Sequence, residues 1–315
     1  TAVGYSAGSS ISTGTANTLM GGLSGDSLNT GESNVALGFS ALGADTKGNN
    51  NVAVGREALA AQNFTTATDS LNVAVGYRAG YNVTTGIKNT IIGGLAGDQL
   101  ADADFNVAVG YGSLSTDDLG SKSTAVGAFA LEAQNYATAT DSHNTAVGYI
   151  AGGAITTGVQ NTIIGSLAGD ALTTGQENVA LGYAALSGDD VGNHSTAIGW
   201  NALISQNYST STDSNNTAVG WNSGSSISTG VENTVMGSHT ADALTDSDGN
   251  VAVGAFALST DTLGARSVSV GHGALLTQNF TTATDNYNVA VGHSAGRAIT
   301  TGIRNVLIGG LAGDA

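Results

Sequence analysis

The sequence of 315 residues contains neither cysteine nor proline. Without cysteine the chain has no disulfide framework and no thiolate chemistry. Without proline it has no proline kinks and no rigid proline linkers. Its 47 glycines, by contrast, can supply many turns that need a positive φ. The composition therefore points to many similar turns in one repeating architecture.

Basic residues are scarce as well. The chain has 8 Lys and Arg against 24 Asp and Glu, which gives a formal net charge of −16. Nucleic acids and anionic membranes are usually bound through basic patches, so we expect neither as a partner. No apolar run reaches the length of a membrane span, and we expect no membrane insertion of this segment.

What the sequence has in abundance is one short motif, written Asn-Val-Ala-Val-Gly at 51–55 and again at 72–76. Its final glycine recurs at three equal spacings of seventeen positions and then at one of twenty-one, which together make a super-repeat of seventy-two positions. Such a period indicates a solenoid, in which each coil contacts mainly its neighbours. The motif glycines are Gly4, Gly21, Gly38, Gly55, Gly76, Gly93, Gly110, Gly127, Gly148, Gly165, Gly182, Gly199, Gly220, Gly237, Gly254, Gly271, Gly292 and Gly309.

The three residues before each glycine are apolar or β-branched except at Ser269, which predicts a short β-strand. The last of them is aliphatic in every copy, and we expect it to face the core. A second apolar residue lies four or seven positions after the glycine, as at Leu59 and Val83. The sequence therefore predicts an all-β fold, a parallel β-solenoid of about eighteen coils. We expect one continuous array over residues 1–315, forming a segment of a longer fibre.

The asparagine that opens the motif suits a turn or a ladder of stacked side chains. Serine replaces it at three positions, Ser123, Ser195 and Ser267. We interpret this position as structural rather than ligand-binding.

Every fourth coil is four residues longer and carries a Gln-Asn-aromatic sequence. Such a regularly spaced loop could contact a receptor, a glycan or a neighbouring chain. Alternatively it could cover the edge of the core, which is the interpretation we favour. The candidate surface-contact residues are Gln62, Asn63, Phe64, Gln134, Asn135, Tyr136, Gln206, Asn207, Tyr208, Gln278, Asn279 and Phe280.

Two segments, 4–8 and 292–296, match the Gly-x-Ser-x-Gly pattern of an esterase nucleophile elbow. That motif requires a strand, a sharp turn and then a helix, together with a histidine and an acid. The positions equivalent to Ser6 and Ser294 hold Arg78, Ile150 and Asn222 in other repeats. We therefore expect no catalytic residues and no enzymatic activity.

The titratable residues do not follow a metal-binding pattern either. The five histidines occupy five different positions of the repeat, and none forms the i, i+4 pair that a zinc site favours. Two columns of aspartates recur at the super-repeat period, too far apart to share an ion, and we favour turn capping over calcium. We expect no metal and no cofactor. The columns are Asp26, Asp98, Asp170, Asp242 and Asp314, and Asp69, Asp141, Asp213 and Asp285.

Aromatic residues often follow the motif glycine directly. A column of exposed aromatic side chains normally requires a cover, so we expect association between chains. These aromatics are Tyr5, Phe39, Tyr77, Tyr111, Tyr149, Tyr183, Trp200 and Trp221.

At this motif the chain resembles the head repeats of trimeric autotransporter adhesins, which carry Val-Ala-Ile-Gly at the same place. It is also similar to repetitive phage fibres, where sequences such as Asn-Thr-Ala-Val-Gly-Tyr are frequent. The resemblance covers the whole chain. It implies a left-handed parallel β-roll, three chains side by side, and attachment to a surface.

The resulting hypothesis is a non-enzymatic structural or adhesive fibre shaft, of a bacterial surface adhesin or a phage tail fibre. It would lie outside the cell or on a virion, form a homotrimer, and act as an extended spacer. It could also bind a cell-surface receptor or glycan at several points. The alternative is an ice- or crystal-binding solenoid with Thr-rich arrays such as Thr84–Thr85, although these occur in only some coil types.

Overall fold

The computed structural model describes residues 1–314, which fall into two compact units, residues 1–159 and the chain from Gln160 onward. Within these residues every regular element is a β-strand, and no helix occurs. The first unit contains β1 (Ala2–Val3), β2 (Thr18–Met20), β3 (Val35–Leu37), β4 (Gly48–Asn49), β5 (Val52–Val54), β6 (Thr68–Asp69), β7 (Val73–Val75), β8 (Thr90–Ile92), β9 (Val107–Val109), β10 (Gly120–Ser121), β11 (Thr124–Val126), β12 (Thr140–Asp141) and β13 (Thr145–Val147).

The second unit repeats the same arrangement. It contains β14 (Thr162–Ile164), β15 (Val179–Leu181), β16 (Gly192–Asn193), β17 (Thr196–Ile198), β18 (Thr212–Asp213), β19 (Thr217–Val219), β20 (Thr234–Met236), β21 (Val251–Val253), β22 (Gly264–Ala265), β23 (Val268–Val270), β24 (Thr284–Asp285), β25 (Val289–Val291) and β26 (Val306–Ile308). In both units the motif strands form a parallel sheet, and the remaining two-residue strands pair beside the long coils.

The register of the motif strands follows the spacing of the motif. Thr18 pairs with Val35 across one short coil, and Val52 pairs with Val73 across one of the longer coils. The strands pair in parallel, for example β11 with β9 and β23 with β25. The predicted all-β parallel β-solenoid is therefore confirmed. Its left-handedness and its continuity over 1–315 stay predictions.

The direction of the strand side chains corrects one expectation. The middle residue of each motif strand faces the core, as Ala53 and Ala125 do at 0% exposure. The residue before the glycine, such as Val126, is half-exposed and lies on the opposite face of its strand. The physical reason is that successive side chains of a strand point to opposite faces. Because the middle residue faces inward, the two residues that flank it must face outward.

The narrow core is filled by complementary side-chain volumes. Where Ile91 is the middle strand residue, Gly97 lies four positions after the motif glycine, and a Cβ there would lie 2.8 Å from Leu100 Cδ1. Where the middle residue is Ala53, that position holds Leu59, which is fully buried. In these coils a large residue in the strand thus faces a small residue in the turn, and a small residue faces a large one. Close packing of an interior requires such complementary volumes.

The motif glycine is required by the stacking of coils. Gly127 has a φ of +135°, and its N–H donates to the carbonyl of Val109 at 2.7 Å. A Cβ on this residue would collide with the carbonyl of Gly148 in the next coil. Only glycine satisfies both the backbone conformation and the close approach of the neighbouring backbone.

The motif asparagines form the expected ladder inside each unit. The side-chain oxygen of Asn34 accepts from the backbone N–H of Asn51 at 2.9 Å, one coil later. Its amide Nδ2 donates to the carbonyl of Gly48 at 2.8 Å. Each amide therefore satisfies backbone groups of a turn and links it to the neighbouring coil, and the structural interpretation is confirmed.

Candidate functional site

The predicted surface-contact loops lie in the long coils. Some of their side chains point into the interior and others into solvent. Gln62 is fully buried and Phe64 is only 6% exposed, whereas the intervening Asn63 and the following Thr65 and Thr66 are exposed. The loop thus covers the core with its glutamine and its aromatic ring, and binding through the loop stays a prediction. The other buried members are Gln134, Tyr136, Gln206, Tyr208, Gln278 and Phe280, and the other exposed members are Asn135, Asn207 and Asn279.

Each buried glutamine belongs to a hydrogen-bonded group that we call the Asp–Gln–Asn cluster. In the first long coil, Gln62 Nε2 donates to the Asp45 carboxylate at 2.7 Å, and Asn72 Nδ2 donates to Gln62 Oε1 at 2.8 Å. The other Asp45 oxygen accepts from the N–H of Gly48 at 3.0 Å. The equivalent clusters are Asp117–Gln134–Asn144, Asp189–Gln206–Asn216 and Asp261–Gln278–Asn288.

Burial dominates the electrostatics of this cluster. It raises the pKa of Asp117 and of Asp189, although the hydrogen bonds from Gln134 and Gln206 act in the opposite direction. Both carboxylates are fully buried, and their oxygens already accept hydrogen bonds. The cluster can therefore hold the long coil in register, but it places no proton acceptor at the surface.

Sequence reasoning missed the aspartate of this cluster. Asp45 lies seven positions after its motif glycine, where other coils carry the buried residues Val83 and Leu100. The shared position of Asp45, Val83 and Leu100 could have revealed it, because the seventh residue after the glycine faces inward whatever its type.

The four long coils differ in their aromatic residue. The hydroxyl of Tyr136 donates to the carbonyl of Gly158 at 2.7 Å and accepts from Asn144 Nδ2 at 3.2 Å. Tyr208 makes the equivalent pair of bonds in the third long coil. Phe64 has no hydroxyl for these bonds, so the tyrosine coils are bound more firmly to the next coil.

A pocket of about 610 Å³ lies beside the second long coil, with Asp118 and Asn135 in its lining. Asp118 replaces Thr46 of the first repeat, whose hydroxyl donates to Asn63 at 3.0 Å. One oxygen of Asp118 is buried without a hydrogen-bond partner. The lining has no second acidic side chain, and residues 1–314 hold no group of three His, Cys, Asp or Glu placed to bind a metal.

The serines of the two elbow-like segments lie in turns. Ser6 and Ser294 each have a φ of 54° and follow a strand. The described part of the chain has no helix after either turn, so the strand–turn–helix context of the motif is missing.

The two aspartate columns differ in their contacts. Asp69 accepts from Asn49 and Asn50 at 3.1 Å, and Asp141 pairs with Lys122 at 2.5 Å. In the other column, burial raises the pKa of Asp98, and it does the same in the next two members. In this column Asp170 Oδ1 and Asp242 Oδ1 are buried without a hydrogen-bond partner. Turn capping therefore stays a prediction for the column of Asp98.

The outer side of the motif strands carries what we call the aliphatic column, the residue directly before each motif glycine. None of its members is buried, and Met20, Ile92 and Leu181 are 52%, 38% and 40% exposed. In the first unit the column is Val3, Met20, Leu37, Val54, Val75, Ile92, Val109, Val126 and Val147. In the second it is Ile164, Leu181, Ile198, Val219, Met236, Val253, Val270, Val291 and Ile308.

The aromatics that follow the motif glycines are exposed, as the sequence predicted, from 44% at Trp200 to 81% at Tyr5. In the second unit they continue into neighbouring positions as seven consecutive rings, which we call the aromatic row. Successive ring centroids lie 4.4 to 6.2 Å apart. The row consists of Tyr183, Trp200, Trp221, His239, Phe256, His272 and His293.

The Thr-rich turns bond to the adjacent coil. The hydroxyl of Thr84 donates to the carbonyl of Ala101 at 3.0 Å, and that of Thr85 to Asp102 Oδ1 at 2.7 Å. Hydroxyls engaged in this way do not favour the ice- or crystal-binding alternative.

Comparisons with protein-family models, with curated proteins and with solved structures found no match. Residues 1–314 contain no helix with the length and apolar character that a membrane crossing needs. Any functional conclusion must therefore rest on the surfaces described above.

Proposed function

We propose that this chain is a non-enzymatic structural segment of a fibre on a cell or virion surface, and that copies associate through the aliphatic column. The observation that carries the proposal is the outward position of an aliphatic residue in every coil of both units. The extracellular location and the number of three copies are supported by the resemblance to adhesin and phage fibre repeats.

The outer strand face carries a second column beside this one. From β2 onward, the first residue of each motif strand also faces outward, and it is Val or the β-branched Thr, as in Val52 and Thr124. Soluble monomers rarely expose a contiguous apolar patch of more than a few hundred Å². Burial of apolar surface contributes about 25 cal/mol per Å². A neighbouring chain with the same face is a suitable cover, because identical coil spacing lets the columns align.

A spacer role follows from the uniformity of the coils. Each super-repeat adds the same structure, so a fibre can be lengthened without new kinds of contact. The formal charge of −16 would keep assembled fibres apart in solution.

Light scattering on the purified chain tests this proposal. We expect a mass of three times 30.9 kDa for the parent chain. Val109→Asp with Val126→Asp, both in the aliphatic column, should reduce the mass to that of one chain while the circular dichroism spectrum is kept. Thr138→Asp at an exposed loop tip is the matched control and should leave the assembly intact. A parent chain of single mass at all accessible concentrations would reject self-association.

A second candidate function is multivalent binding through the long-coil loops. It is favoured by the exposed asparagines, which recur once per super-repeat and would act together by avidity. Replacing Asn63, Asn135, Asn207 and Asn279 with alanine should abolish saturable binding to host cells without changing the mass. Retention of that binding would exclude the loops as the contact.

A further inference from the structure

The aromatic row is an exposed surface that the structural role does not use. Soluble proteins usually bury aromatic rings, yet Tyr183, Trp200, Trp221 and Phe256 are 47%, 44%, 51% and 42% exposed. Both tryptophans of the chain belong to this row and lie next to each other, with centroids 5.9 Å apart. Seven successive coils supply one ring each, so the rings form a continuous strip in the second unit.

The strip differs from the rest of the surface in its charge. The chain has 24 Asp and Glu, but none occurs at the two positions after a motif glycine in the second unit, where the row lies. Lys and Arg are missing there as well. A partner for this strip therefore needs no charge of its own.

Two classes of polymer stack on rows of aromatic rings. Single-stranded nucleic acids combine stacking with many cationic contacts to their phosphates. A strip with one arginine beside it, Arg297, on a chain of net charge −16 does not provide that series of contacts. Neutral sugars need no charged partner, and their C–H groups pack on exposed aromatic side chains. Their hydroxyl groups can bond to the Tyr183 hydroxyl and to the indole N–H groups of Trp200 and Trp221, which are exposed side chains.

One end of the row is concave. A pocket of about 370 Å³ lies there, lined by Phe256, His272, Leu276, His293 and Arg297 among others. It combines an apolar ring, two imidazoles and a guanidinium that can donate hydrogen bonds. Such a mixture of ring faces and donors suits a sugar unit better than a purely apolar ligand.

We infer that the aromatic row binds a neutral linear polysaccharide, laid along successive coils with its sugar rings against the aromatic side chains. Each stacking contact is weak, and the regular ring spacing lets several of them act together on one polymer. This site is distinct from the aliphatic column and from the long-coil loops, and it goes beyond the structural role proposed above.

Tryptophan fluorescence of the intact chain tests the inference, because its only two tryptophans lie in the row. Titration with cellohexaose, a neutral β-linked oligosaccharide, should shift the emission in a saturable way and bind independently of salt. Phe256→Ala, which keeps both tryptophans, should weaken binding by roughly tenfold. Tyr5→Ala, an exposed aromatic outside the row, is the matched control and should leave the affinity unchanged.

Four outcomes would overturn the inference. The first is no saturable shift with cellohexaose, and the second is an equal loss in the Phe256→Ala and Tyr5→Ala variants. The third is binding of polygalacturonate or oligothymidylate in place of the neutral sugar. The fourth is that the parent chain does not bind the sugar while Trp200→Ala lowers the mass in light scattering. That result would show that the row contacts another copy of the chain. Because fluorescence and mass are read separately, failure of sugar binding is distinguishable from failure of self-association.

Discussion

The inner and the outer face of the motif strands are both apolar, but only the inner face is covered by the chain itself. Inside, Ala125 is fully buried, and the backbone N–H of Ser123, two residues earlier, donates to Asn106 Oδ1 in the preceding coil. Outside, Thr124 and Val126 stand on either side of Ala125 and are half-exposed. Stability within one chain explains the inner face, and it does not explain an aliphatic outer face.

The comparison teaches that the motif meets two requirements at once. The inner position accepts small residues, because the opposite side of the coil supplies the volume, as Leu131 does at 0% exposure. The outer position directly before the glycine is always Val, Ile, Leu or Met, although a strand on a solvated face normally carries polar residues there. We therefore interpret the outer face as a second packing surface that a partner completes.

The largest expected difference is between charges placed on the two faces. Ala125→Asp buries a charge without a partner and should cost more than about 3 kcal/mol of unfolding free energy. Val126→Asp, one residue later, should cost about 1 kcal/mol or less in the single chain. Urea denaturation of dissociated protein, with hydrogen exchange around 124–126, measures both. Equal losses of unfolding free energy in the two variants would contradict the assignment of Ala125 to the inner face and Val126 to the outer face.

The polar part of the interior gives the next largest effect. Gln134→Leu leaves the buried Asp117 carboxylate without its 2.5 Å donor and should cost about 2 to 3 kcal/mol. The double variant Asp117→Leu with Gln134→Leu should recover part of this loss, since equivalent positions in other coils hold aliphatic residues. Urea denaturation of the single and double variants gives the comparison, and a double variant less stable than the single one would contradict it.

The raised pKa of Asp117 predicts a pH dependence of the interior. The group binds its proton more strongly in the folded chain than at its usual pKa of 3.8 in the unfolded chain. Its contribution to stability is therefore largest below pH 3.8 and falls as pH rises through the folded pKa. When the pH is lowered from neutral to about pH 4, the rise in melting temperature should be smaller for Asp117→Asn than for the parent. Identical profiles would show that Asp117 does not titrate in this way.

The smallest expected effect concerns the tyrosine coils. Tyr136→Phe removes one hydroxyl, while Asn144 still has the carbonyl of Gly158 as a partner. The loss should be about 1 kcal/mol. Phe64 is the natural control, because Phe64→Leu probes packing in a coil that never had the hydroxyl. A Tyr136→Phe variant as stable as the parent would show that this hydrogen bond does not stabilise the fold.

Much of the fold could be predicted from the sequence, because its period is strict. The glycine column, the strand positions and the asparagine ladder follow from residues that recur at fixed intervals, such as Gly127 and Asn34. The direction of the strand side chains could not be predicted in this way. All three strand positions are apolar or β-branched in every copy but that of Ser269, so alternation, the usual signal for the inner face, is missing.

The long-coil loop shows a second limit. The pattern Gln62-Asn63-Phe64 predicted a regular loop, but a polar side chain next to an aromatic one gives no indication of which residue turns inward. The deciding partner, Asp45, lies one coil earlier and becomes a neighbour only when coils stack. The aromatic row was missed in part for a similar reason, because His239 and Phe256 occupy a different motif position from Trp200 and Trp221 and meet them only in space.

The accessibility of the outer strand face tests the central claim most directly. Since the chain has no cysteine, the variant Val126→Cys carries a single thiol in the aliphatic column, and Thr138→Cys carries one at an exposed loop tip. In folded protein at assembly concentration, we predict that the Val126→Cys thiol reacts with a maleimide much more slowly than the Thr138→Cys thiol, and that dilution narrows the difference. Equal rates at every concentration would show that the aliphatic column is open to solvent and would contradict the account.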